Sequence, residues 1–247
     1  MTVAISPYPS PDEEIIIRAV EKRMEEAMAP YDPSHDAYHV RRVRRTALQL
    51  ARTISPSCLK APDLLVVEIA ALLHDVLDKK YAPPAALIDP YNTYFAPFFQ
   101  SLTEKVPSID LVKDGRAKDI AMIVENVSWT TEKKLRGEGK WGSWHEQCVE
   151  LHCVQDADRL DAIGAFGIMR VSAYSAAINQ VSRGDRTLHA PHGDPVQPTT
   201  AIQHFHDKLL HIRERMKTEP GKKMAEKRHK VMLDFLDAID EEYDGKQ

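Results

Sequence analysis

Residues 62–80 read PDLLVVEIAALLHDVLDKK, and they decide the fold class. Pro62 and Asp63 form a helix-opening signal. Leu65, Ile69, Leu72, Leu73 and Val76 then recur at helical spacing, so the stretch predicts an apolar helix ending near His74 to Asp78, ahead of Pro83 and Pro84. His74 and Asp75 therefore sit at the end of a buried rod, where a carboxylate without compensation is costly. Consecutive helix residues point about 100° apart, so this pair converges on one ion only where a helix end packs against its neighbours. A divalent metal fits that requirement. A histidine packed on the core beside a turn-capping aspartate fits the dipeptide equally well.

The same periodicity extends in both directions. Ser10, Pro11 and Glu13 make a capping box with proline in the first turn, followed by Ile16, Val20 and Met24. Asp36 to Ile54 predicts a second helix through Val40, Val43, Ala47, Leu50 and Ile54, with Asp36 as its N-cap. The stretch 81–107 reads as a loop with one short helix around Phe95 to Lys105. Ile109 to Val127 reads as a helix that Gly115 interrupts, and Thr130 to Gly142 as a polar surface loop. Val149 to Asn179 is helical with a bend or close crossing at Gly164 and Gly167. Residues 183–199 predict a long irregular loop. Two C-terminal helices follow, through Ile202 to Met216 and through Val231 to Ile239, joined by a turn at Thr218 to Gly221. With no alternating strand pattern and no repeat, the expected fold is all-α and a single domain over residues 1–247.

Composition narrows the partners. The 33 basic against 37 acidic residues give a net charge of −4, without the basic excess that a duplex nucleic acid surface needs. No run of about 18 apolar residues predicts a membrane span. Cys58, Cys148 and Cys153 show no C-x-x-C spacing and suit free thiols in a reducing compartment. Neither MTVAISPYPSPDEE at the start nor DGKQ at the end matches a targeting or lipidation signal, so the expected location is cytoplasmic.

Three strings occur in order on three predicted helices: H-x-x-R-V at His39, A-L-L-H-D ending at Asp75, and A-D-R-L around Asp158. Together they resemble the HD-domain metal-dependent phosphohydrolase superfamily. The fuller strings DPSHDAYHVRRV and VQDADRLDAIGAFGI are similar to small stand-alone HD hydrolases, some of which act on nucleotides. That likeness spans about residues 31–175, and HFHDKLL and MKTEPGKKMAEKRH extend it to helices at about 200–243 packed on the core. The resemblance implies one divalent metal held by His39, His74, Asp75 and Asp158. Asp156 and Asp161 compete with Asp158 for the last place. Position 161 shares a helix face with 158 and position 156 points elsewhere.

Two imidazoles with two carboxylates suit Mn, Mg, Fe, Ni or Zn without choosing among them. Such an ion activates water and polarises a phosphoryl oxygen, which hydrolysis at phosphorus requires. Asp78, one turn beyond Asp75, is the candidate general acid or base, the alternative being a carboxylate paired with Lys79 or Lys80. Lys79, Arg42 and Arg159 are candidates to bind a phosphorylated substrate; for Arg42 an ion pair within the site is as reasonable. Glu150, Asn126 and Ser128 resemble family positions near the pocket. His35 reads as surface or support, His189 and His192 as loop histidines able to touch a substrate, and His145, His204 and His206 as surface or packing residues.

The leading expectation is a phosphohydrolase of a nucleotide or other small phosphate ester, with nucleoside triphosphate to monophosphate plus pyrophosphate as the first candidate. The alternatives are an HD-fold nucleotide-binding or regulatory module without turnover, and a di-iron HD oxygenase needing a second metal from His145 or His152.

Overall fold

The structure is a computed structural model that describes residues 8–29, 36–54, 61–77, 88–182, 192–193 and 200–245, without side chains at 177–182. The described residues form helices and no strand, as the periodicity predicts. They fall into two compact units, one ending at Gln155 and one beginning at Asp156. None of the described helices is long and apolar enough to cross a membrane.

The first unit is organised by α3 (Leu64–Leu73), on which α1 (Pro11–Met28), α2 (Ala37–Thr53) and α5 (Arg116–Asn126) all pack. Every residue of α3 from Leu65 to Leu73 is buried, including Glu68 at 3% exposure. A helix apolar on all sides has to be surrounded. Its single carboxylate then needs a partner, and Arg44 of α2 donates to Glu68 Oε1 through Nε at 2.6 Å. The Tyr8 hydroxyl donates to the other oxygen of Glu68. Arg44 also pairs with Glu21 of α1 at 3.0 Å, so one guanidinium fixes three helices together. Burial and the neighbouring Glu68 carboxylate push the Tyr8 phenol above its usual range.

The caps read from the sequence are present. Ser10 and Glu13 form the capping box of α1, Asp36 accepts from His39 N–H at 2.9 Å to start α2, and Asp63 accepts from Leu65 and Val66 N–H to start α3. Gly115 does break the 109–127 stretch: with φ at 92° it ends the preceding turns, and α5 begins only at Arg116. The short helix α4 (Ala96–Thr103) continues from a π-helical turn at Tyr91–Phe95.

One expectation fails. Thr130 to Gly142 is not a surface loop, because α6 (Trp129–Gly137) occupies most of it and α7 (Ser143–Gln147) follows. Ser128 caps α6 by accepting from Thr130 N–H, and the buried residue is Glu132, held by Arg136 one turn on at 2.9 Å. A helix whose inward residue is a paired glutamate carries no apolar stripe to be read.

In the second unit, α9 (Gly164–Ser182) and α11 (Glu219–Asp244) pack together, and α10 (Ala201–Asp207) leads into a 3-10 segment at Leu209–Arg215. The expected single helix from Ile202 to Met216 is thus a short α-helix plus a tighter coil. Gly164 is both bend and close crossing: its φ is +76°, and a Cβ there would lie 2.9 Å from Arg228 Cβ. The expected turn at Thr218–Gly221 is shorter than read, since Thr218 is the N-cap of α11 and Glu219 already belongs to the helix.

α8 (Val149–Asp161) supplies the strongest polar anchor of this unit. Buried Asp156 accepts from Lys217 N–H at 2.8 Å, Thr218 N–H at 2.7 Å and Thr218 Oγ1 at 2.7 Å, and Thr218 Oγ1 in turn accepts from Gly221 N–H at 3.0 Å. Asp156→Ala leaves three donors without their acceptor and is expected to cost about 3 kcal/mol in urea unfolding. Gly221→Ala would place Cβ 2.4 Å from Asp156 Oδ2 and is expected to cost about 1–3 kcal/mol by overpacking the same contact.

Candidate metal centre

His39 stands at the start of the buried stripe of α2, which continues through Val40, Val43, Ala47 and Leu50. The periodicity that buries those side chains carries the imidazole inward to 1% exposure. His74 follows α3. The chain leaves the α-helix after Leu73 through turns over residues 74–77, with Val76 N–H donating to the Leu73 carbonyl at 3.2 Å. His74 itself keeps helical dihedrals, with φ −59° and ψ −29°.

The geometry there is specific. The rings of His39 and His74 meet edge to face, with centroids 5.3 Å apart and planes at 73°. Asp75 Oδ2 lies 3.5 Å from His39 Nε2 and 3.4 Å from His74 Nε2. His74 Nδ1 lies 2.8 Å from the Ala71 carbonyl oxygen, which can only accept, so Nδ1 carries a proton and Nε2 is the nitrogen turned toward the carboxylate. Burial alone would raise the Asp75 carboxyl, but the neighbouring imidazoles of His74 and His39 hold it well below the usual carboxylate range.

His39 and His74 each turn a ring nitrogen, and Asp75 a carboxylate oxygen, to this one point. Two imidazole nitrogens with carboxylate oxygens are a donor set that suits a borderline divalent ion, so the residues present fit the metal that the sequence implies. The three aspartates of α8 have separate surroundings. Asp156 is taken up by Lys217 and Thr218, Asp161 pairs with Arg170 at 3.2 Å, and Asp158 is half-buried.

The remaining candidates are placed as follows. Arg42 is half-buried on α2, one turn after His39. Arg159 is buried, and its NH1 donates to the Arg215 carbonyl at 2.6 Å, a tie within the second unit. Asp78, Lys79, His35 and His189 lie outside the described residues. His192 is exposed and stacks on His206 at 3.8 Å.

Asn126, Ser128 and Glu150 have structural contacts. Asn126 Oδ1 lies 3.2 Å from His145 Nε2, Ser128 caps α6, and Glu150 accepts from Asp63 N–H at 3.0 Å. His145 also accepts from Gly142 N–H through Nδ1 at 3.1 Å, so both of its ring nitrogens are engaged by protein groups. What the sequence could not reveal is the Ala71 carbonyl, because a backbone oxygen that sets a histidine tautomer has no residue type to announce it.

Residues 36–163 match the HD domain family. YpgQ of Bacillus subtilis (strain 168) is 30% identical over 213 residues, 85% of each chain. The crystal structure of Bacillus subtilis YpgQ in complex with ADP is similar with a TM-score of 0.64 at 25% identity, covering 94% of this chain and 96% of that one. The crystal structure of an HD-superfamily hydrolase from Bacillus thuringiensis is similar with a TM-score of 0.63 at 25% identity, over 95% and 100% of the two chains.

Removal of either imidazole tests the centre directly. After chelation and dialysis, His39→Ala and His74→Ala are each expected to bind Co²⁺ or Mn²⁺ at least about 100-fold more weakly than the wild type in calorimetric titration, as loss of a direct ligand exceeds the effect of losing an outer partner. Equal affinity in all three proteins would remove the metal centre from this location.

Proposed function

This chain belongs to the HD domain family, and on that premise we propose that it is a metal-dependent phosphohydrolase acting on a nucleotide, with cleavage of a nucleoside triphosphate to the monophosphate and pyrophosphate as its first candidate reaction. The observation that carries this reading is the meeting of His39, His74 and Asp75 at the end of α3, with His74 Nε2 turned toward the Asp75 carboxylate. The ADP in the YpgQ crystal structure supports a nucleotide over another phosphate ester.

His39, His74, Asp75 and Asp158 would hold the ion. A divalent ion in such a set supplies Lewis acidity toward a phosphoryl oxygen and lowers the pKa of water. Asp78, three residues beyond Asp75, takes the proton of the attacking water or returns one to the leaving oxygen. Arg42, Lys79 and Arg159 supply positive charge to phosphoryl oxygens as charge builds on them. The Ala71 carbonyl keeps His74 in the tautomer that leaves Nε2 available, so proton traffic falls to Asp78 and not to the imidazole.

The test is a substrate panel on chelator-stripped protein resupplied with Mn²⁺, covering nucleoside mono- and triphosphates, deoxy forms and cyclic nucleotides, with phosphate and pyrophosphate scored separately. Metal-dependent release from one class is expected, absent in Asp75→Ala. Asp78→Asn is expected to lower kcat about 10²- to 10⁴-fold while metal affinity stays unchanged. Metal-loaded protein that binds nucleotide and releases nothing from any class would replace the hydrolase with a binding module.

A further inference from the structure

α11 carries its charges in two blocks. Glu219 to Lys230 contains five basic and two acidic residues, whereas Val231 to Asp244 contains six acidic and no basic ones. The order opposes the helix dipole, which favours acids in the first turn and bases in the last. Gly221, Ala225, His229, Met232 and Leu236 form the buried side of the helix. On the other side Lys223, Lys227, Lys230, Asp234, Asp237 and Glu241 are all exposed, spaced alternately four and three residues apart. That spacing keeps side chains along one seam of a helix that lies beside another helix.

The seam is poorly satisfied within its own helix. Lys230 pairs with Asp234 at 2.8 Å, in the base-before-acid order that is the weaker sense for such a pair. Lys223, Lys227, Asp237 and Glu241 make no ion pair among the described residues, although each is a full charge facing solvent. Val231 at 43% and Leu233 at 40% exposure flank the midpoint where the sign of the seam changes.

We propose that this face docks on a second copy of the chain, with the two α11 helices antiparallel about a two-fold axis passing near Met232. Positions equally far from Met232 on either side then face one another. Lys230 meets Asp234, Lys227 meets Asp237, Lys223 meets Glu241, and each pair occurs twice because the axis repeats it. Val231 meets its own copy on one flank of the seam and Leu233 its own copy on the other. The occupant is specified by the sign change at the centre of the seam. A uniformly acidic or basic partner matches one half and repels the other, a parallel pair of α11 helices sets like against like, and only the antiparallel copy matches throughout. An interface built mainly of exposed ion pairs is weak and screened by salt.

The test is sedimentation velocity of the full chain over a protein concentration series at about 20 mM and about 500 mM salt. The expected result is reversible dimerisation at low salt, weakened by about tenfold or more at high salt. A variant with Lys223→Glu, Lys227→Glu and Lys230→Glu, and another with Asp234→Lys, Asp237→Lys and Glu241→Lys, are each expected to be monomeric with wild-type circular dichroism. Their mixture is expected to associate. A variant carrying all six substitutions restores the sign change and is expected to dimerise alone, a recovery that a generally disturbed helix would not give. A wild type that stays monomeric at low salt, a dimer that persists in both three-fold variants, or a six-fold variant that stays monomeric overturns the proposal.

Discussion

The helix at the centre of the first unit has no side facing water, and the candidate centre depends on that burial. α3 is enclosed from Leu65 to Leu73, so it cannot rotate or slide without moving α1, α2 and α5. Its one ionised side chain adds direction to the packing, because Glu68 at 3% exposure requires the Arg44 guanidinium and the Tyr8 hydroxyl where they stand. Taking away one member of such a pair leaves a buried charge alone, which is far more costly than the pair is worth. The α2 to α3 register is thereby set by apolar surface and checked by one ion pair. The same register brings His39, at the first turn of α2, opposite His74, just past the last turn of α3.

α8 shows how one stretch of sequence serves packing and chemistry together. Its polar residues at 156, 158, 159 and 161 lie within two turns, yet each faces a different neighbour. Asp156 and Arg159 grip backbone groups of residues 215–218, Asp161 faces Arg170, and Asp158 is half-buried between them. The angular step of the helix sets Asp156 and Asp158 about 200° apart.

Much of this was legible in the sequence because it follows from periodicity and caps. Ser10, Asp36 and Asp63 announce their helices by residue type and spacing, and the buried stripes of α2 and α3 fall at the positions their apolar residues indicate. The resemblance to HD hydrolases was carried by strings around His39, Asp75 and Asp158, which identify residues without giving their geometry. The signal failed where the inward residue is polar. α6 turns Glu132 to the interior, and a surface-like sequence conceals a helix whose buried group is a paired carboxylate. It also failed where the distinction is one of backbone pitch, as in the 3-10 segment at Leu209–Arg215, since apolar spacing of three and four residues suits either coil. The separate surroundings of Asp156 and Asp161 come from Lys217 and Thr218, 61 and 62 residues on from Asp156, and from Arg170, 9 residues past Asp161.

Several of these contacts join a side chain to a main-chain atom, and this bears on how the protein tolerates change. The Ala71 carbonyl that orients His74, the Arg215 carbonyl that receives Arg159 and the Lys217 amide that binds Asp156 are all supplied by residues whose own side chains take no part in those bonds. Drift over generations can exchange the side chains at 71, 215 and 217 as far as these bonds are concerned, while their counterparts at 74, 159 and 156 are held. The exception is proline at 217, which has no amide hydrogen to give. The burden of inheritance is thus unequal across each contact, and two lineages could differ at one half of every bond while retaining the same architecture.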